Sequence, residues 1–204
     1  SALILTASGG YLFLSLLLTM VASIILGMGL PTTAKYIVLS AIAAPALVKL
    51  GVPLVGAHLF ILYFGVIAEV TPPVALTSYA AAAVAKAPGV KTALQGLKIS
   101  IGAFFIPFMF CYYPSLLFVD VTPAGLFAGF YSAFIGMICL CGCSIGYFFG
   151  PLKTWKRVFM FLGVALLLHP STVTDILGTV VVLIMFLVQK RMTGKGSQAV
   201  SAES

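Results

Sequence analysis

The residues best suited to chemistry lie at two breaks in otherwise apolar sequence. One reads Ala68-Glu69-Val70-Thr71-Pro72-Pro73. In a helix, Pro72 and Pro73 have no N–H for the carbonyls four residues back, those of Ala68 and Glu69, and their rings clash there. Two carbonyl oxygens are thereby freed inside an apolar segment, and in lipid each unsatisfied group is costly. The break is therefore expected to face protein, water or a bound ion. Thr71 is expected to cap the next helix, with Pro72 at its first position and the amides of Val74, Ala75 and Leu76 pointing toward the break. That set offers oxygen ligands to a hard cation and a positive helix end to an anion.

The other break, Gly27-Met28-Gly29-Leu30-Pro31-Thr32-Thr33-Ala34, has a similar grammar. Pro31 frees the carbonyl of Gly27, Gly29 permits an open backbone, and Thr32 and Thr33 supply hydroxyls and a cap. Either break alone reads equally well as a proline kink or a loop between helices. Two of them, about forty residues apart with one carrying an acid, point to a site. Candidate cation ligands are Gly27, Thr32, Ala68, Glu69 and Thr71. Candidates to face a substrate are Thr33, Val74, Ala75 and Thr77. Gly29, Pro31, Pro72 and Pro73 make the breaks. No protein cofactor is implied beyond a coupling ion.

Glu69 is the only acid before Asp120, and it follows the uncharged run Phe60–Ala68. An acid at membrane depth is a functional candidate by default. It can ligate a cation, carry a proton, or pair with Lys35; at a membrane surface it is only a solvated cap. Tyr63 and Tyr79 can line the site, while His58 and Lys49 read as interfacial.

The elements that must position these groups follow from composition. Of 204 residues, 62% are hydrophobic and only 7% charged, and the mean hydropathy is +1.21. Soluble domains carry roughly 25% charged residues, so this chain is expected to be solvated by lipid. The net charge of +7 and pI near 9.4 then describe membrane orientation rather than nucleic-acid binding.

A spanning helix needs about 20 apolar residues. Spans are expected over Tyr11–Leu26, Ile99–Phe118 and Ala124–Phe149, with shorter ones over Trp155–Leu168 and Ile176–Val188. Proline-containing hairpins separate the later ones. Lys35–Leu50, Leu54–Glu69 and Val74–Ala85 read as shorter helices around the breaks, and Ala87–Lys98 as an interfacial helix. Interrupted pieces of this kind suit discontinuous helices and a re-entrant hairpin. Lys86, Lys91, Lys98, Lys153, Lys156, Arg157, Lys190, Arg191 and Lys195 fall on one membrane face, while Asp120, Asp175 and His169 fall on the other. The positive-inside rule makes the basic face cytoplasmic, with the C-terminus there. The division is residues 1–98 around the breaks, 99–190 as further membrane helices, and 191–204 as a disordered polar tail.

Ile138-Cys139-Leu140-Cys141-Gly142-Cys143-Ser144 looks like a metal cluster on paper. On a helix only Cys139 and Cys143 share a side, and small residues at a helix contact are the better reading. Cys111 lies in another apolar run, and no disulfide framework is implied. No HExxH, GxSxG, Walker or dinucleotide motif is present, so the chain reads as a non-enzyme, and secondary transport is favoured.

The stretch Gly27-Met28-Gly29-Leu30-Pro31-Thr32-Thr33-Ala34-Lys35-Tyr36-Ile37, the stretch Tyr63-Phe64-Gly65-Val66-Ile67-Ala68-Glu69-Val70-Thr71-Pro72-Pro73-Val74-Ala75, and Ser78–Ala85 with Lys91–Leu94 carry a resemblance. Together they resemble the large membrane subunit of tripartite ATP-independent periplasmic (TRAP) transporters, closest to the branch with fused small and large subunits. The likeness covers roughly Leu12–Phe110, and the part from Tyr112 on looks like that branch's C-terminal extension. It implies an all-α integral membrane fold, the second half of an inverted-repeat transporter that moves as an elevator. It also implies a Na⁺-coupled importer in the bacterial inner membrane, taking organic acids such as C4-dicarboxylates from a periplasmic substrate-binding protein. A small membrane subunit and the remainder of the large subunit are the implied partners. Plainer large subunits have an apolar residue in place of Glu69 and Gly in place of Thr32, which leaves proton coupling through Glu69 open. The chain opens Ser1-Ala2-Leu3 and shows one copy of each break, as expected of a C-terminal fragment or one piece of a split gene. A non-transporting membrane scaffold is the rival reading.

Overall fold

The computed structural model describes residues 6–148, 150–168 and 171–202, with side chains described as far as Gln189. His169 therefore lies outside the described residues. Every regular element among them is helical, with one isolated bridge between Tyr147 and Pro151. The chain forms two compact units, residues 1–129 and 130–204.

In the first unit, α1 spans Leu12–Gly27, α2 Thr32–Lys49, α3 Leu54–Ile67, α4 Leu76–Val84, α5 Gly89–Ser100 and α6 Phe105–Tyr112. The ends follow local chemistry. α1 stops before Gly29, whose φ of +79° only glycine adopts easily, and Pro31 starts α2. At the end of α2, Gly51 takes a left-handed φ. Its N–H donates to the Val48 carbonyl at 3.0 Å, and the Val52 N–H donates to that of Leu47 at 3.1 Å. This paired bonding closes a helix while Val52 packs inward.

Burial in α1 is inverted relative to a soluble helix. Ser15, Thr19, Ser23 and Gly27, each four residues apart, are buried, while Phe13, Leu14, Val21, Ile25 and Leu26 face outward. Small residues let backbones approach where lipid supplies the apolar surroundings. The core beside them is aromatic: Phe60 and Phe64 of α3 stack edge-on against Phe108 of α6 at 5.3 and 5.9 Å.

The segment expected to lie on the interface is instead continuous with the span after it. α5, a 3₁₀ turn over Ile101–Phe104 and α6 form one helical stretch, Gly89–Tyr112, long and apolar enough to cross a membrane. Pro107 lies in the first turn of α6, and its missing N–H falls beside the 3₁₀ turn, where bonding has already shifted. The stretch ends at Tyr112 rather than Phe118 because Tyr113 precedes Pro114 and has left the helical region, at φ −122° and ψ 79°.

Helix α7, Pro123–Ile145, carries the boundary between the units and is the second stretch of spanning length. Thr122 caps it, accepting from the Gly125 N–H at 3.1 Å. In the second unit α8 spans Thr154–Leu167 and α9 Thr172–Ala202. The last helix continues to Ala202, into the segment whose composition predicts disorder. Ser132 of α7, fully buried, donates to Asp175 Oδ1 of α9 at 3.0 Å, and Tyr131 donates to Thr179 Oγ1 at 3.2 Å. Cys139 is buried and Cys143 Sγ donates to the Arg157 carbonyl at 3.4 Å, and both thiols are free.

Candidate functional site

The two breaks meet. Gly27, at the end of α1, lies so close to α3 that a Cβ there would sit 3.2 Å from the Ala68 Cβ and 3.4 Å from the Gly65 carbonyl oxygen. From the start of α2, Thr32 Oγ1 donates to Glu69 Oε1 at 3.3 Å. One helical turn on, Lys35 Nζ donates to the same carboxylate oxygen at 2.9 Å and to the Gly65 carbonyl at 3.2 Å. Gly27, Thr32, Ala68 and Glu69 thus lie together.

Lys35 completes the cluster. Its side chain is 2% exposed, against 33% for that of Glu69. A buried ammonium is tolerated only when paired and hydrogen-bonded, and both conditions are met. Of the roles open to Glu69, pairing with Lys35 is the one seen. Lys35 was absent from the sequence-derived ligand set. The available signal was its position three residues after Thr32, which puts both on one face of a helix.

The two carbonyls that the double proline deprives of helical donors find donors within the loop. The Ala68 oxygen accepts from the Thr71 N–H at 3.3 Å, and the Glu69 oxygen accepts from the Thr77 N–H at 3.3 Å and from Thr77 Oγ1 at 2.9 Å. The Gly65 carbonyl lacks its helical donor, because the Glu69 N–H donates to the Val66 oxygen at 3.0 Å. The cation there is the Lys35 ammonium.

Thr71 also differs from expectation. Its hydroxyl donates back to the Ile67 carbonyl at 2.9 Å rather than capping the following helix. That helix starts at Leu76, and its N-cap Ala75 is buried in the left-handed region at φ 37° with no side-chain cap. The Ala75 N–H donates to the Thr71 oxygen at 3.2 Å, so one of the three amides expected to meet an anion is occupied. The Pro72–Pro73 bond is cis, and Tyr79 donates to the Pro73 carbonyl at 3.0 Å. The loop closes on itself because so short a turn places its own donors nearest its own carbonyls.

The remaining candidates make no second cluster among the described contacts. Thr33 and Thr77 are exposed, Val74 and Tyr63 half-buried. Tyr36 and His58 share a hydrogen bond of 2.8 Å away from the pair. Among the described residues no group of three His, Cys, Asp or Glu side chains could hold a metal.

Apolar side chains outward, with small and hydroxyl residues inward, are the pattern of a helical membrane protein. The family described as tripartite ATP-independent periplasmic transporter, DctM component, matches residues 1–125, and the chain belongs to that family. The match ends within four residues of the first unit's end at 129, so it covers the part that holds the breaks. No curated protein and no solved structure matches the chain. Membership makes this a transporter permease component rather than an enzyme.

Proposed function

We propose that the chain is a permease segment of a Na⁺-coupled importer of organic acids, supplied by a periplasmic binding protein and working with the other membrane parts of such a transporter. The observation that supports it is the meeting of the breaks. Backbone that has left helical bonding in a membrane is tolerated where it lines a site, and here two such stretches touch through Gly27, Ala68, Thr32 and Glu69. Cation coupling works at this junction by pulling the breaks together or letting them part. The bacterial inner membrane, with the basic face and C-terminus cytoplasmic, is the location that goes with this reading.

The test is uptake of a radiolabelled carboxylate by the complete system under an imposed Na⁺ gradient. Replacing both Pro72 and Pro73 by Ala restores N–H donors to the Ala68 and Glu69 carbonyls and lets the helix run on. Uptake is expected to collapse while the protein stays in the membrane. Wild-type uptake in that variant would refute the proposal. The Lys35–Glu69 pair favours one second reading, proton coupling. In that case Glu69→Gln shifts the pH dependence of uptake and removes its response to a proton gradient, whereas Na⁺ coupling leaves the pH profile unchanged.

A further inference from the structure

The second unit gathers positive charge at one end with little to balance it. Lys153 is exposed at the start of α8, Lys156 is buried, and Arg157 is half-buried. Lys156 is held inside, its Nζ donating to Gln189 Oε1 of α9 at 2.6 Å and lying 5.9 Å from the Trp155 ring. Lys190 and Arg191 follow Gln189 in the sequence. Asp175 is the one acid among the unit's described residues, and it sits fourteen residues before Gln189 on the same helix. At 1.5 Å per residue that is about 21 Å away, beyond the screening length of physiological salt.

Arg157 carries the stronger signal. Its guanidinium lies over Gly146, in direct contact with the place a Cβ would occupy, and its Nε is buried without a hydrogen-bond partner. Gly146 has φ +78° and belongs to a tight loop, where the Leu152 N–H donates to the Gly146 carbonyl at 2.8 Å and the Phe148 N–H to that of Gly150 at 2.9 Å. The bare glycine and closed loop hold the planar group in place. A charged donor kept from water on one edge calls for an anion on the other.

The chemistry of that anion follows from what continues along α8. Lys153, Arg157, Phe161 and Ala165 are spaced by four and share a face: two cations, then two exposed apolar residues. Val158 and Leu162, also exposed, lie beside them. A soluble anion uses only the first half of this stripe, whereas a phospholipid uses both. We propose that Lys153 and Arg157 bind the phosphate of an anionic phospholipid whose acyl chain lies along Val158, Phe161 and Leu162. The inference is independent of the coupling ion and the substrate.

The test is native mass spectrometry of the full chain, released from detergent containing equal amounts of phosphatidylglycerol and phosphatidylcholine of the same acyl chains. Wild type is expected to retain phosphatidylglycerol preferentially. Lys153→Gln and Arg157→Gln are each expected to lower that preference about fivefold, the effect of one basic residue at an anionic surface. Lys153 is exposed and its replacement leaves the packing intact, so its result stands if the Arg157 variant fails to fold. Lys91→Gln, at an exposed lysine of the first unit, is expected to change nothing. Equal retention of the two lipids by wild type would overturn the proposal, as would an unchanged preference in Lys153→Gln or an equal loss in Lys91→Gln. Millimolar inorganic phosphate is not expected to displace the lipid; displacement would mean a free-anion site and would also overturn it.

Discussion

The Lys35–Glu69 pair is lopsided, and that predicts an asymmetric response to its two halves. Glu69→Leu strands the Lys35 ammonium, whose side chain is 2% exposed, with the Gly65 carbonyl as its hydrogen-bond partner at 3.2 Å. Stranding one member of a buried pair costs about 3–5 kcal/mol, and the retained carbonyl bond argues for the lower end. At about 2–4 °C per kcal/mol for a chain of this length, roughly 3 kcal/mol lowers the melting temperature by about 6–12 °C. Lys35→Met is the opposite case. The Glu69 side chain is 33% exposed and keeps Thr32, so it rehydrates. After discounting for solvent, its loss is that of a surface pair, about 0–1 kcal/mol, or within about 4 °C. The double variant removes both charges and is expected near wild type, since apolar replacements of buried pairs are often neutral or stabilising. The assay is thermal unfolding of the detergent-solubilised protein, followed by fluorescence-detected size exclusion. Equal losses in the two single variants would refute the reasoning, and so would a double variant as unstable as Glu69→Leu.

Two further predictions concern the contacts around that pair. Gly27→Val adds a branched side chain where even a Cβ would lie 3.2 Å from that of Ala68. It is expected to cost about 1–3 kcal/mol by pushing α1 away from α3, and a melting temperature within 1 °C of wild type in the same assay would contradict the close packing. Thr77→Val removes the 2.9 Å bond to the Glu69 carbonyl but keeps the longer backbone bond to it, so a loss of about 1 kcal/mol is expected. Hydrogen exchange should show faster exchange at Ala75 and Thr77 in this variant, and unchanged exchange there would argue against the loop's self-bonding.

The amino-acid sequence by itself determined the solvent and the punctuation. Too few charges for water, long apolar runs and proline or glycine breaks are local properties, and each needs no partner to be read. They placed the helices flanking both breaks and singled out Gly27, Thr32, Ala68 and Glu69, which the fold brings near one another. Tertiary structure decided what those residues do. Which donor reaches a freed carbonyl depends on distances across the fold, so sequence could count the carbonyls of Ala68 and Glu69 as lost to Pro72 and Pro73 without knowing that Thr71 and Thr77 would serve them. The same holds for Thr71, whose hydroxyl had a nearer acceptor behind it than ahead. Lys35 shows the limit best. Thirty-four residues separate it from Glu69, and only the packing of α2 against α3 turns two isolated charges into one ion pair.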